Sequence, residues 1–96
     1  MRIRLRPAAE RLIHRLARVP GAVVLELPHA QERMIGRGIT SADVIKVLRG
    51  GCVDRGPIRD EWGDACYRIV GRAWERTIRV VVALHGDKQV FVVTVY

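Results

Sequence analysis

Apolar residues near the start of the chain recur at helical spacing. Leu12, Ile13, Leu16 and Ala17 make one stripe, while Arg11, His14, Arg15 and Arg18 fall at i, i+3, i+4 and i+7 on another. This spacing predicts an amphipathic helix whose basic face meets solvent or phosphate. Pro7 suits its first turn, where a missing N–H costs nothing, and Pro20-Gly21 ends the element. Residues 22–27, "AVVLEL", are rich in β-branched side chains and predict a short strand, closed by Pro28. A second helix is expected from about His29 to Ile35, with Ala30 and Met34 inward and "GRG" at 36–38 breaking it. The segment "TSADVIKVLRGG" carries the clearest local signal. Thr40 or Ser41 caps, Asp43 sits in the first turn, Val44, Val47 and Leu48 face inward, and Gly50-Gly51 stops the helix.

After residue 51 the period changes from helical to alternating. "CVDRG", "ACYRIVGR", "RTIRVVVALHG" and "KQVFVVTVY" read as strands, separated by "PIRDEWGD", "AWE" and "HGD". Separators this short favour hairpins, so an antiparallel meander is expected. Alternation directs Tyr67, Ile69, Ile78, Val80, Val82, Leu84, Phe91, Val93 and Val95 to the helices. Arg68, Arg79, Thr94 and Tyr96 then share the opposite face, and a register slip of one residue would dissolve that set. The predicted fold class is α+β, with N-terminal helices packed on one face of an antiparallel sheet of about four strands. Residues 1–96 are read as a single domain, with 1–21 a helical extension and 22–96 the core.

Composition supports a folded chain, because 49% of its residues are hydrophobic. No apolar run approaches the roughly 20 residues of a membrane helix, and the basic, amphipathic start lacks the apolar segment of a secretory signal. The expected location is therefore the cytoplasm, with export as part of a larger toxin as the alternative. Formal net charge is +7, and 15 of the 17 basic residues are arginine. That excess favours polyanions such as RNA, DNA or acidic proteins, and arginine suits bidentate phosphate contacts. A GC-rich coding sequence would also raise arginine over lysine, but it would not explain the net charge. Cys52 and Cys66 lack metal-site spacing. They fall on neighbouring predicted strands, either as reduced half-buried thiols or as a cross-strand disulfide. No cofactor and no metal are called for.

The run "HAQERMIGRGITSADVIKVL", then "YRIVGR", then the terminal "VVTVY", resembles domain-of-unknown-function family 4258 of small bacterial proteins. The resemblance covers about residue 22 onward and rests on His29, Arg33, Met34, Arg37, Gly38 and Ile39, then Tyr67 and Arg68, then Thr94 to Tyr96. It implies a fold related to the barnase/EndoU/colicin/RelE-like ribonucleases and toxins, and with it a metal-independent endoribonuclease of toxin type. RNA cleavage of that kind needs a base for the 2′-hydroxyl, an acid for the leaving oxygen and cations for the phosphate. His29 is the first candidate for proton transfer, at a strand-to-helix junction where free N–H groups attract anions. Arg33 and Arg68, with Thr94 and Tyr96, complete the candidate catalytic set. Arg37, Arg79, Arg11, Arg15 and Arg18 are candidates for holding RNA phosphates. Arg33 and Arg37 have an alternative as a salt-bridged surface with Glu32 and Asp43. The competing function is a non-catalytic basic module that binds RNA or an acidic antitoxin or immunity-type protein.

Overall fold

The computed structural model describes residues 4–96. Three helices, α1 (Arg6–Leu16), α2 (Pro28–Arg37) and α3 (Ser41–Gly50), precede the strands β2 (Cys52–Arg59), β3 (Ala65–Ala73), β4 (Arg76–His85) and β5 (Gln89–Val95). A two-residue strand, β1 (Val23–Val24), lies between α1 and α2.

Local chemistry sets the helix ends. Pro7 and Pro28 stand in the first turns of α1 and α2. α2 ends at Gly38, whose φ of 63° is the left-handed conformation that glycine adopts without a Cβ clash. The Ile39 N–H then bonds back to the Met34 carbonyl. α3 opens with a reciprocal cap: the Thr40 hydroxyl accepts from the Asp43 N–H, and the Asp43 carboxylate accepts from the Thr40 N–H. These two bonds satisfy N–H groups that the helix itself leaves unpaired.

The sheet order is β1-β5-β4-β3-β2. β2 to β5 form the expected antiparallel meander, but β1 pairs with β5 in parallel, so the sheet has five strands and is mixed. Residues 22–27 mark a strand without naming its partner, because that partner lies more than 60 residues away in sequence. β2 also continues through Pro57–Arg59, which the sequence assigns to a loop. Proline is tolerated there because β2 is an edge strand.

α2 packs on β5, α3 on β3 and β4, and α1 on β2 and α3. One hydrophobic cluster joins Leu12, Ile13 and Leu16 of α1, Ala30 and Met34 of α2, Val44, Val47 and Leu48 of α3, and the inward residues of β3 to β5. Each fully buried Leu, Ile or Val contributes about 1.5–3 kcal/mol relative to exposure.

Alternation assigns the inward face correctly on β3 and β4, but it fails within β5. Val90, Val92 and Val95 are buried, whereas Phe91 and Val93 are only half-buried. The cause is a bulge: Val81 pairs with Thr94 and Val82 with Val92, which leaves Val93 as an extra residue. The bulge reverses the phase before Val93 and restores it after, so Thr94 and Tyr96 still lie on the outer face.

Candidate functional site

The helix-free face of the sheet is built from rows of paired residues, which share a face because cross-strand partners point the same way. One row runs Arg55–Arg68–Val81–Thr94, and the next runs Ile58–Cys66–Ala83–Phe91. Arg79 pairs with Val70, and its N–H and C=O both bond to the backbone of Tyr96. Arg68, Arg79, Thr94 and Tyr96 therefore do share one face.

Arg68 is the fixed point of this face. Its Nε and Nη2 donate to the two oxygens of Asp54 at 2.8 and 2.7 Å, a bidentate fork. Its Nη1 donates to the Tyr96 hydroxyl at 2.9 Å. Three of the five guanidinium N–H groups are thus used, and two remain. The Tyr96 oxygen accepts from Arg68, so its own O–H is free to donate. Arg79 lies 5.9 Å from the Tyr96 ring centroid. Together Arg55, Cys66, Arg68, Val81 and Tyr96 line a shallow cavity of about 190 Å³.

Electrostatics follow from this packing. The Arg68 bonds hold the Asp54 carboxyl below the usual carboxylate range. The same bonds raise the Arg68 guanidinium further above its already high value. Burial, with Asp60 and Asp64 nearby, pushes the Cys66 thiol up to about 11. A thiol so placed is a poor nucleophile near neutral pH.

Asp54 and Arg55 were absent from the sequence-derived set. A register shift between Val53 and Arg55 makes Asp54 the extra residue of a bulge, and this turns its carboxylate toward Arg68. Strict alternation cannot foresee that turn. Arg68 is expected on the outer face as part of the catalytic set, with no acidic partner named for it. It lies on an interior strand, with 16% of its side chain exposed and an acidic partner.

The helix residues are separate from this cluster. His29 is exposed in the first turn of α2, and its side chain makes no hydrogen bond or ion pair among the described residues. Arg33 and Arg37 are exposed, and their side chains likewise have no partner among the described residues. The alternative, salt bridges to Glu32 and Asp43, does not form. Asp43 is engaged by the Thr40 N–H instead, and that bond lowers its pKa. The Thr94 hydroxyl is half-buried and also unbonded among the described residues.

Other candidates are reassigned by their contacts. His14 leaves the predicted basic face: it is half-buried, and its Nε2 lies 2.7 Å from the Gly51 carbonyl, which requires the proton on that nitrogen. His85 is the last residue of β4, with Nδ1 3.3 Å from Asp64. Trp62 and Trp74, in the connections between strands, are 78% and 83% exposed. Both cysteines are free. Cys52 pairs with Val70 and Cys66 with Ile58, which separates them by four residues along β3, roughly 13 Å at strand spacing. Arg11, Arg15 and Arg18 stay exposed on or just after α1.

Among the described residues, no three His, Cys, Asp or Glu side chains cluster as a metal site, and no helix is long and apolar enough to cross a membrane. The family model of a domain of unknown function, DUF4258, matches residues 27–96. No curated protein and no solved structure matches the chain.

Proposed function

The chain belongs to the DUF4258 family, and on that footing we propose that it is a toxin-like, metal-independent endoribonuclease. The observation that carries this reading is the arginine-rich outer sheet face. Arg68 is oriented by Asp54, keeps two free N–H groups, and touches a phenol whose O–H is unused. Such a fork is suited to the oxygens of a phosphodiester. Helices followed by four antiparallel strands also support a relation to the barnase/EndoU/colicin/RelE-like nuclease fold.

In this mechanism the scissile phosphate lies at the start of α2 beside His29 and Arg33, while Arg68, Arg79 and the Thr94 hydroxyl bind a neighbouring RNA phosphate on the sheet face. His29 takes the proton of the 2′-hydroxyl as that oxygen attacks phosphorus. The bond to the 5′-oxygen breaks, and that oxygen takes its proton from solvent. The products are a 2′,3′-cyclic phosphate and a 5′-hydroxyl. β1 runs parallel to β5, so residues 25–27 lead toward the end of β5 that carries Thr94 and Tyr96, and His29 follows them. Arg33 and Arg37 continue the cationic surface along α2.

His29→Ala is the test, with oligoribonucleotide cleavage followed in excess EDTA. Cleavage by the wild-type chain should fall about 10²- to 10⁴-fold in the variant, with RNA binding and the melting temperature retained. A wild-type chain that binds RNA without breaking it sinks the catalytic reading. The second reading, a non-catalytic module for RNA or an acidic antitoxin or immunity-type partner, is favoured by one observation: among the described residues, no partner orients the His29 ring.

A further inference from the structure

A second cationic surface lies away from the Arg68–Tyr96 cluster. Arg18, just after α1, Lys46 and Arg49 of α3, and Arg72 of β3 line a groove of about 660 Å³. A smaller cavity of about 250 Å³ continues it and shares Arg18, Ile45 and Arg49. No acidic residue lines either cavity.

Three of the four cations are held in place through backbone carbonyls. Arg18 donates to His14 at 2.9 Å, Arg49 to Ala17 at 3.3 Å and Arg72 to Glu75 at 3.2 Å. Each guanidinium keeps further N–H groups for a ligand. The groove floor at Gly51 is bare backbone, packed tightly between α3 and β3. A Cβ at that position would lie 2.7 Å from the carbonyl oxygens of both Val47 and Val70.

An aromatic face completes the arrangement. Lys46 Nζ lies 5.9 Å from the Trp74 ring, and Trp74 is 83% exposed. A cationic groove beside an exposed indole is the physical pattern of single-stranded nucleic acid binding: charge tracks the phosphates, and the ring stacks on a base. An acidic peptide would use the charges but would have no base to place on Trp74.

We propose that this groove and Trp74 bind a single-stranded RNA segment flanking the scissile bond. Phosphates lie on Arg18, Lys46, Arg49 and Arg72, and a base stacks on Trp74. The proposal rests on the reading of RNA as the substrate. Arg72 lies four residues beyond Arg68 on β3, roughly 13 Å at strand spacing, so one strand can span both sites.

The test uses 5′-labelled 2′-O-methyl oligouridylates of twelve and four nucleotides, which lack the 2′-hydroxyl and so report binding apart from cleavage. Lys46→Glu combined with Arg49→Glu should weaken the twelve-mer at least tenfold. Loss of two phosphate contacts should also flatten the log–log salt dependence by about 1.4. Trp74→Ala should weaken the twelve-mer about fivefold or more. With Trp62→Phe leaving Trp74 as the sole tryptophan, the twelve-mer should quench its fluorescence. The four-mer, short enough to occupy the sheet face alone, should respond to Arg68→Ala and change less than twofold in the Lys46/Arg49 variant. Circular dichroism melts confirm folding, and Arg72→Ala serves in place of any variant that fails to fold. Unchanged twelve-mer affinity, absent quenching, or equal displacement by hexaglutamate would each overturn the proposal. Cleavage of the unmodified twelve-mer is scored separately. Groove-dependent binding without cleavage removes the catalytic reading and leaves the groove in place.

Discussion

The Arg68–Asp54 pair shows how one side chain's environment sets another's chemistry. Arg68 lowers the Asp54 pKa, so the unfolded chain takes up a proton at that carboxyl more readily than the folded one. The pair's stabilising effect is therefore fully present above a pH of about 4. It is lost as pH falls through the lower folded value. Asp54→Asn should shrink the drop in melting temperature between pH 5 and pH 2, as thermal melts across that range would read. An identical pH dependence in both proteins would mean that the pair contributes nothing. Arg68 and Tyr96 were legible from alternation. Asp54 was not, because a bulge turned it, and His14 was misread because helical spacing does not show the Gly51 carbonyl beside it.

Among the elements, α3 was the most legible. Its stop at Gly51, its inward Val44, Val47 and Leu48, and its Thr40 cap are all local. Thr40→Ala removes one half of the reciprocal cap and should cost about 1 kcal/mol. That corresponds to roughly 5 °C in melting temperature for a chain of this size, measurable by calorimetry. No change would show that water replaces the hydroxyl at no cost. β5 was half-legible. Its existence follows from "QVFVVTV", but the bulge at Val93 depends on how that strand meets β4, and no local pattern announces it.

At the scale of the molecule, the family match begins at residue 27, yet α1 is built into the same core. Ile13 is fully buried in the cluster that includes Val47 and Ile69. Ile13→Ala should destabilise the protein by about 3 kcal/mol, a loss that urea unfolding would detect. A loss under 1 kcal/mol would mark α1 as an appendage. Part of the basic excess gathers on two surfaces, the sheet face and the groove at Arg18, Lys46, Arg49 and Arg72, while Arg11, Arg15, Arg33 and Arg37 stay on the helices. The sequence counts those charges without showing that they divide.

The chain's own periodicity determined the three helices, the antiparallel meander and the outward set of Arg68, Arg79, Thr94 and Tyr96. Those features arise between near neighbours, where hydrophobic spacing, caps and turn residues act directly. Only the tertiary structure decided the parallel pairing of β1, the bulges, the Asp54–Arg68–Tyr96 contacts and the joining of Arg18 to Arg72 in one groove. Each of these brings together residues many positions apart. Their partners are set by how helices and strands pack, which short-range pattern does not encode.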